Sequence, residues 1–304
     1  MIAAGIDLGG TKIETQVFDA QWRLVQQRRT ATPPDYETLI RELTEHVAWA
    51  TAQLSPDAPV GLASAGLINP ASGLALTANL PSTGRPFAAD LLAGTGRQVE
   101  IVNDCRAFAL SEAVFGAAKG LSPAVGLILG TGVGGAVIID GRLLRGLAHV
   151  SGEFGHFALP AAPMLTAGLP VLRCGCGRIG CTETYISGPG LSRIAHHLGR
   201  PDLTARQIVE GRASDATLQR AWGIWIALLS EVLLTLCLTV DPAVIVLGGG
   251  VSAAPGLVAD LTAGLKAAQL PGFPVPAIRL AQGGDASGAR GAAYAAHVAR
   301  GEHG

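Results

Sequence analysis

Charge is sparse in this sequence and clustered nowhere. Of its 304 residues 15% are charged and the formal net charge is −1. No basic stripe and no helix-turn-helix segment precedes the first strand-like run, which argues against groove binding to nucleic acid. An uninterrupted membrane-length run is missing too. The most apolar stretch, AWGIWIALLSEVLLTLCLTV from Ala221 to Val240, carries Ser230 and Glu231 near its middle and stops at Asp241-Pro242. A central glutamate is costly in lipid, so a buried interdomain helix is expected there. Met1 runs straight into the strand-like IAAGIDLG with no leader-like segment, and a reducing compartment is the expectation. The P-loop pattern G-x-x-x-x-G-K-[ST] is absent, so any phosphate site must be built differently. With 49% hydrophobic residues the chain can bury a large core, and its length suggests two domains.

Cysteine is scarce, yet three of the five fall together as Cys174, Cys176 and Cys181, framed by Gly175, Gly177 and Gly180. Three thiols around one small centre want a fourth ligand, and His156 is the nearest upstream imidazole, which makes a tetrahedral structural zinc site. The alternative is a disulfide between two of them, or three reduced thiols in a loop; a reducing compartment disfavours the disulfide. Glu153 and Glu183 flank this cluster.

Glycine, by contrast, is abundant and patterned. Residues 2–32 read as strand, turn, strand, turn, strand. The first turn, Asp7-Leu8-Gly9-Gly10-Thr11-Lys12, lets backbone N–H groups approach phosphate oxygens, while Asp7 can hold hydrated Mg2+ and Thr11 can bond a phosphate oxygen. Alone, it would equally be a plain hairpin. However, Gly5-Ile-Asp-Leu-Gly9 aligns with Gly126-Leu-Ile-Leu-Gly130 at an offset of 121 residues, and Asp19 then falls opposite Asp140. This is an internal duplication. The second copy carries Gly130, Thr131, Gly132 and Gly134 in its turn, and a third cluster, Gly248-Gly249-Gly250, follows the buried strand Val244 to Leu247. Two cradles and a third glycine turn suggest one nucleotide held between two halves.

Elsewhere, Pro34 to Leu54 reads as an amphipathic helix and Val60 to Ala65 as a strand. Val99 to Asp104 is a strand ending in the pair Asn103-Asp104, with a helix from Cys105 to Gly116. From the residues alone Asp104 is either a helix N-cap or a carboxylate placed for proton transfer. Ser187-Gly188-Pro189-Gly190 caps a helix, Thr204 to Gln219 reads as solvent-facing scaffold, and Arg290 to Arg300 as a helix returning to the first domain, with His297 at the surface.

In this order, DLGGTK, GTGVGG, SGEFGH, CGCGRIGCTE and DPAVIVLGGG, with the segment Gly284 to Gly291, resemble the ROK family. The resemblance implies an α/β protein of duplicated actin-like, ribonuclease-H-like ATPase fold. It implies two domains with an interdomain cleft: residues 1–115 plus about 292–304, and 116–291 with the zinc loop. It implies an ATP-dependent sugar kinase using ATP, Mg2+ and structural Zn2+, in which Asp104 is the base. Gly66, Asn79, Asn103, Asp104, Glu153, His156 and Glu183 would bind sugar, and the three glycine turns would bind nucleotide. TANLPSTGRPFAADL and NDCRAFALSEA point within the family to phosphorylation of the 6-hydroxyl of N-acetylglucosamine. Glucose, fructose and N-acetylmannosamine are competing substrates, and a noncatalytic sugar sensor is the other class. Cys105 and Arg106 stand where the family carries smaller residues, which alters the fine shape of the pocket. A cytoplasmic homodimer without nucleic-acid or membrane partners completes the implied picture.

Overall fold

The computed structural model describes every residue except Pro56, Ala78, Asp285, Ala286, His303 and Gly304. Asp285 and Ala286 of the family-like segment Gly284 to Gly291 therefore lie outside the described residues. In chain order the elements are β1 (Ala3–Leu8), β2 (Lys12–Phe18), β3 (Leu24–Ala31), α1 (Tyr36–Ala52), β4 (Val60–Ser64), β5 (Leu67–Ile68), β6 (Ala75–Leu76), α2 (Phe87–Thr95), β7 (Glu100–Asn103) and α3 (Asp104–Phe115). They continue with β8 (Ala124–Leu129), β9 (Val133–Ile139), β10 (Arg142–Leu143), α4 (Ala161–Ala167), α5 (Glu183–Ile186), α6 (Gly188–His197), α7 (Ala205–Gly211), α8 (Ala216–Val240), β11 (Val244–Gly248), α9 (Leu257–Ala268), β12 (Ala277–Leu280) and α10 (Ser287–Glu302).

Two compact units result. The first holds Met1–Gly116, Arg142–Ser151 and Gly283–Gly304, the second Ala117–Gly141 and Gly152–Gln282. Residues 142–151 and 283–291 thus group with the first unit, outside the boundaries expected from the sequence. Each unit is built on a five-stranded sheet of the same plan, β3-β2-β1-β4-β7 in the first and β10-β9-β8-β11-β12 in the second. In both, the opening hairpin is antiparallel (β1 with β2, β8 with β9) and the next two strands add in parallel. The central strands are apolar on both faces, as parallel strands covered on both sides must be. Val244 to Gly248, for example, is buried throughout.

In the first unit α1 starts where the Asp35 carboxylate accepts the Thr38 N–H at 2.9 Å, a side-chain cap for an otherwise unpaired donor. Its Leu39, Leu43, Val47 and Ala50 then face the core at helical spacing. The last helix, α10, packs on β1, β4 and α3. It does so through alanines, with Ala289, Ala292 and Ala293 fully buried. Gly5 and Gly61 meet it from the sheet, and a Cβ at either would overlap the carbonyl group of Ala289 or Ala292. His297 is exposed, its ring edge-on to Trp22.

The second unit is centred on α8. By length and composition α8 could cross a membrane, but Trp222, Trp225, Leu229, Leu233 and Leu236 bury themselves in the unit's core. Trp222 and Trp225 stack at 5.1 Å, and the Trp222 indole N–H donates to Asp260 Oδ2 at 2.7 Å. The expectation of an interdomain helix is corrected here. The helices α8 packs against, α4, α5, α6, α7 and α9, all belong to the second unit. Asp241 ends it in the left-handed conformation at φ 49°, with Pro242 barring continuation.

Because the α10 backbone leaves no room for a side chain at Gly61, Gly61→Ala is expected to destabilise the first unit by about 1–3 kcal/mol or more through forced overpacking. A lowered denaturant midpoint, read by tryptophan fluorescence with an unchanged slope, checks it.

Candidate functional site

Asn103 and Asp104 sit where β7 runs into α3. The cap is Asn103, not Asp104. Its Oδ1 accepts the N–H groups of Cys105 at 3.0 Å and Arg106 at 3.3 Å, and its Nδ2 donates to the Gly66 carbonyl at 3.0 Å. Gly66 holds φ +112°, and a Cβ there would collide with Leu76 and Thr77. This leaves Asp104 as the first helical residue, free of capping duty. Burial pushes its carboxyl above the ordinary carboxylate range, partly offset by the Cys105 N–H that donates to Oδ1 at 2.9 Å. A half-buried carboxylate so raised is a proton acceptor moved toward neutral pH.

The turn Asp7 to Lys12 joins β1 to β2 in the same unit. The Asp7 carboxylate lies against the first turn of α10, where a Cβ at Gly288 would stand 2.6 Å from its Oδ2, a favourable place for an anion. Gly10 adjoins Asn79. Thr32 fastens the turn with a hydroxyl bond to the Gly9 carbonyl at 2.7 Å, and Lys12 Nζ lies 3.7 Å from Glu14.

In the second unit a cavity of about 1010 Å³ opens between the β8–β9 turn, the start of α6, α7 and the segment after β11. Of the glycine-turn residues expected at a nucleotide site, Gly130, Thr131 and Gly250 line it, and Gly132 and Gly249 do not. Ser192, Thr204, Ala205, Arg206, Val209 and Val251 line it as well. The sequence predicts solvent-facing scaffold over Thr204 to Gln219, and the structure makes part of that stretch a wall. Its capping box (Thr204 with Gln207) marks only a helix start. The Gly188 N–H donates to the Gly130 carbonyl at 2.8 Å and fixes α6 to the glycine turn. Gly134 lies within β9 opposite Ile128, and Gly248 ends β11; neither lines the cavity.

On the other side of that turn stands Glu183, the first residue of α5. Its Oε2 accepts the Val133 N–H at 2.8 Å, and its Oε1 lies 3.9 Å from Cys174 Sγ. His156, in a single 3₁₀ turn, presents Nδ1 3.8 Å from Cys174 Sγ and Nε2 3.7 Å from Glu153 Oε2. The ring's two nitrogens thus face the cysteine cluster and the carboxylate separately.

The donor atoms of His156, Cys174, Cys176 and Cys181 all lie within 4.8 Å of one another. Cys176 and Cys181 Sγ are 3.6 Å apart, and none of the five cysteines is joined in a disulfide. A disulfide needs about 2.0 Å between sulfurs, whereas the edge of a zinc tetrahedron with ~2.3 Å bonds is about 3.8 Å. The donor set therefore fits zinc and not a disulfide. Without metal, burial pushes the thiols of Cys174 and Cys181 up, the latter to about 12, while the Arg178 N–H pulls exposed Cys176 down. Metal would displace these protons.

These features define a protein of the duplicated actin-like ATPase class, with a nucleotide-sized cavity and a half-buried carboxylate. A glucokinase from Streptomyces griseus in complex with glucose and AMPPNP superposes with a TM-score of 0.76 at 28% identity, over 98% of this chain and 100% of that one. The model of the ROK family matches residues 3–299, and the chain belongs to that family. It is 40% identical over 296 residues to the N-acetylgalactosamine kinase AgaK of Shewanella sp. (strain ANA-3), covering 96% of each. It is 38% identical over 299 residues to N-acetyl-D-glucosamine kinase of Escherichia coli O127:H6 (strain E2348/69 / EPEC), covering 95% of this chain and 97% of that one.

The thiol environments predict an order of reaction in metal-free protein. Cys176, exposed and shifted toward thiolate, is alkylated before Cys174 and Cys181 near pH 8. Timed iodoacetamide labelling with peptide mass mapping measures it, and Cys181 reacting first would contradict the burial described.

Proposed function

We propose that the protein transfers the γ-phosphoryl group of ATP to the 6-hydroxyl of N-acetyl-D-glucosamine, giving N-acetyl-D-glucosamine 6-phosphate and ADP. The observation that carries the reading is Asp104, relieved of capping by Asn103 and raised in pKa by burial. Asp104 accepts the hydroxyl proton as the sugar oxygen attacks the γ-phosphorus in line and the bond to the β–γ bridging oxygen breaks. Gly66, Asn79, Asn103, Glu153, His156 and Glu183 hold the sugar hydroxyls and acetamido group, carboxylates accepting from hydroxyls in charge-assisted bonds. The cavity beside Gly130, Thr131 and Gly250 takes the adenosine end, and the backbone N–H groups of the glycine turns face phosphate oxygens. Asp7 would hold Mg2+, which supplies charge neutralisation on the phosphates.

We further assign zinc to His156, Cys174, Cys176 and Cys181. Four protein donors fill a tetrahedral site, so the ion serves structure and orients the His156 ring for sugar through Nε2. A cytoplasmic homodimer completes this reading.

N-acetylgalactosamine is the competing substrate, favoured by the 40% identity to a kinase of that sugar. Initial rates of ADP release over N-acetylglucosamine, N-acetylgalactosamine, N-acetylmannosamine, glucose and fructose decide between them. Preference for the 4-epimer would replace the sugar named here and leave the chemistry intact.

Asp104→Asn is expected to lower kcat by about 10²- to 10⁴-fold while sugar still binds. The base works only when deprotonated, so activity in the wild type is present above the raised pKa and lost as pH falls through it. The acid limb of kcat/KM should therefore lie above the ~3.9 of an ordinary aspartate. A variant keeping a third of the turnover would overturn the assignment.

Cys176→Ser is expected to release the metal from a protein that otherwise carries about one zinc per chain, and to weaken sugar binding while nucleotide affinity holds. Elemental analysis and paired calorimetric titrations measure both.

A further inference from the structure

The chain passes between its two units four times, after Gly116, Gly141, Ser151 and Gln282. On the first-unit side one helix holds all four passages. That helix is α3, which begins at Asp104.

Arg106 is only 6% exposed. Its Nη2 donates to the Leu144 carbonyl at 3.0 Å, and its Nη1 to the carbonyls of Ser151 at 3.0 Å and His149 at 3.4 Å. Both ends of the excursion 142–151 are thereby fastened to one guanidinium. Ser151 stands two residues before Glu153 in the chain. The planar fork makes this possible, because a lysine ammonium is a point donor that cannot serve separated carbonyls in one plane.

Glu112 lies six residues further on, on a face about 120° away around the helix. It is fully buried. Its Oε1 accepts the Gly283 N–H at 2.7 Å and the Ser287 hydroxyl at 3.2 Å, and its Oε2 occupies the space that a side chain at Gly116 would need. One carboxylate therefore touches the passage leaving α3 and the passage arriving at α10. Burying two ionisable side chains costs more desolvation than burying two apolar ones of the same size. Their neighbours on α3, Ala107, Phe108, Ala109 and Leu110, are apolar and buried, so core packing alone does not call for charge there.

We propose that Arg106 and Glu112 are positioning residues of the phosphoryl transfer, acting through Asp104 by locking α3 to every connection between the units. The base and the segment that delivers Glu153 then share one frame. This rests on the reading of Asp104 as the base. Displacement of a reacting group by about 1 Å can cost on the order of 100-fold in rate, which sets the size of effect available to residues that touch no substrate.

Arg106→Lys keeps the charge and loses the fork, and Glu112→Gln keeps the shape and loses the charge. In the full-length zinc-loaded protein each is expected to lower kcat by roughly 10- to 100-fold. KM for ATP should stay within about twofold, and the acid limb of the pH profile should keep its position, since the base itself is intact. Rates are taken per active site, counted by stoichiometric calorimetric titration with a nonhydrolysable ATP analogue, so that loss of folded enzyme does not register as loss of kcat. A kcat per site within about twofold of wild type in both variants, or a fall in rate accounted for wholly by fewer active sites, would overturn the inference. Asp104→Asn is measured alongside. If it stays active, the reading of the base fails, whatever the other two do. If it is inactive while both positioning variants behave as wild type, this inference alone fails.

Discussion

A single hydrogen bond joins what sequence distance separates in the second unit, from the Val133 N–H to the Glu183 carboxylate, fifty residues on. On one side it fixes the glycine turn whose far face opens on the cavity. On the other it sets the carboxylate beside Cys174, at the mouth of the thiol cluster. The preceding residue reinforces it, because the buried Thr182 hydroxyl meets the carbonyls of Phe154 at 3.1 Å and Gly155 at 3.0 Å. Glu153, His156, Glu183 and the glycine turn therefore keep one backbone frame. The cysteine loop has little apolar surface of its own and borrows its order from that frame.

Carboxylates in the first unit show that burial does not decide ionisation by itself. Glu14 is buried, and burial pushes its pKa up, yet hydrogen bonds from Gln16 and the Arg29 guanidinium outweigh this and hold it low. At Asp104 burial wins over the hydrogen bonds offered by Cys105, by its own backbone and by Asn103. The two environments hold one carboxylate low and raise the other within a single unit.

Much of this was readable in the residues. The duplication showed because both central hairpins are apolar runs ended by glycines at matching positions, and the two sheets repeat one strand order. The cysteine spacing announced a small centre, and His156 was reachable as the nearest imidazole. What stayed hidden depends on tertiary contact. Thr204, Arg206 and Val209 have the spacing of any amphipathic helix, and only the packing of α7 beside α6 makes them a cavity wall. Asn103 and Asp104 are both good caps, so the residues could not say which one caps and which one is left to act. The run from Ala221 to Val240 revealed its burial but not its neighbours. Arg106 stood out only as larger than the residue the family carries there, and its partners stayed hidden because they are carbonyl groups, which every residue has.

The first unit is discontinuous, and its sheet is covered by α10, which reaches β1 and β4 through glycines that admit no other packing. During synthesis α10 leaves the ribosome only after the whole of the second unit has emerged. Until then the alanine-lined face of β1 and β4 has no cover. The second unit, whose two segments are both already out, can close first around α8, and the nascent first unit must wait with an exposed apolar surface. Truncation by a translational error near residue 286 would therefore release a chain with one finished unit and one open sheet, a species suited to capture by chaperones and proteases.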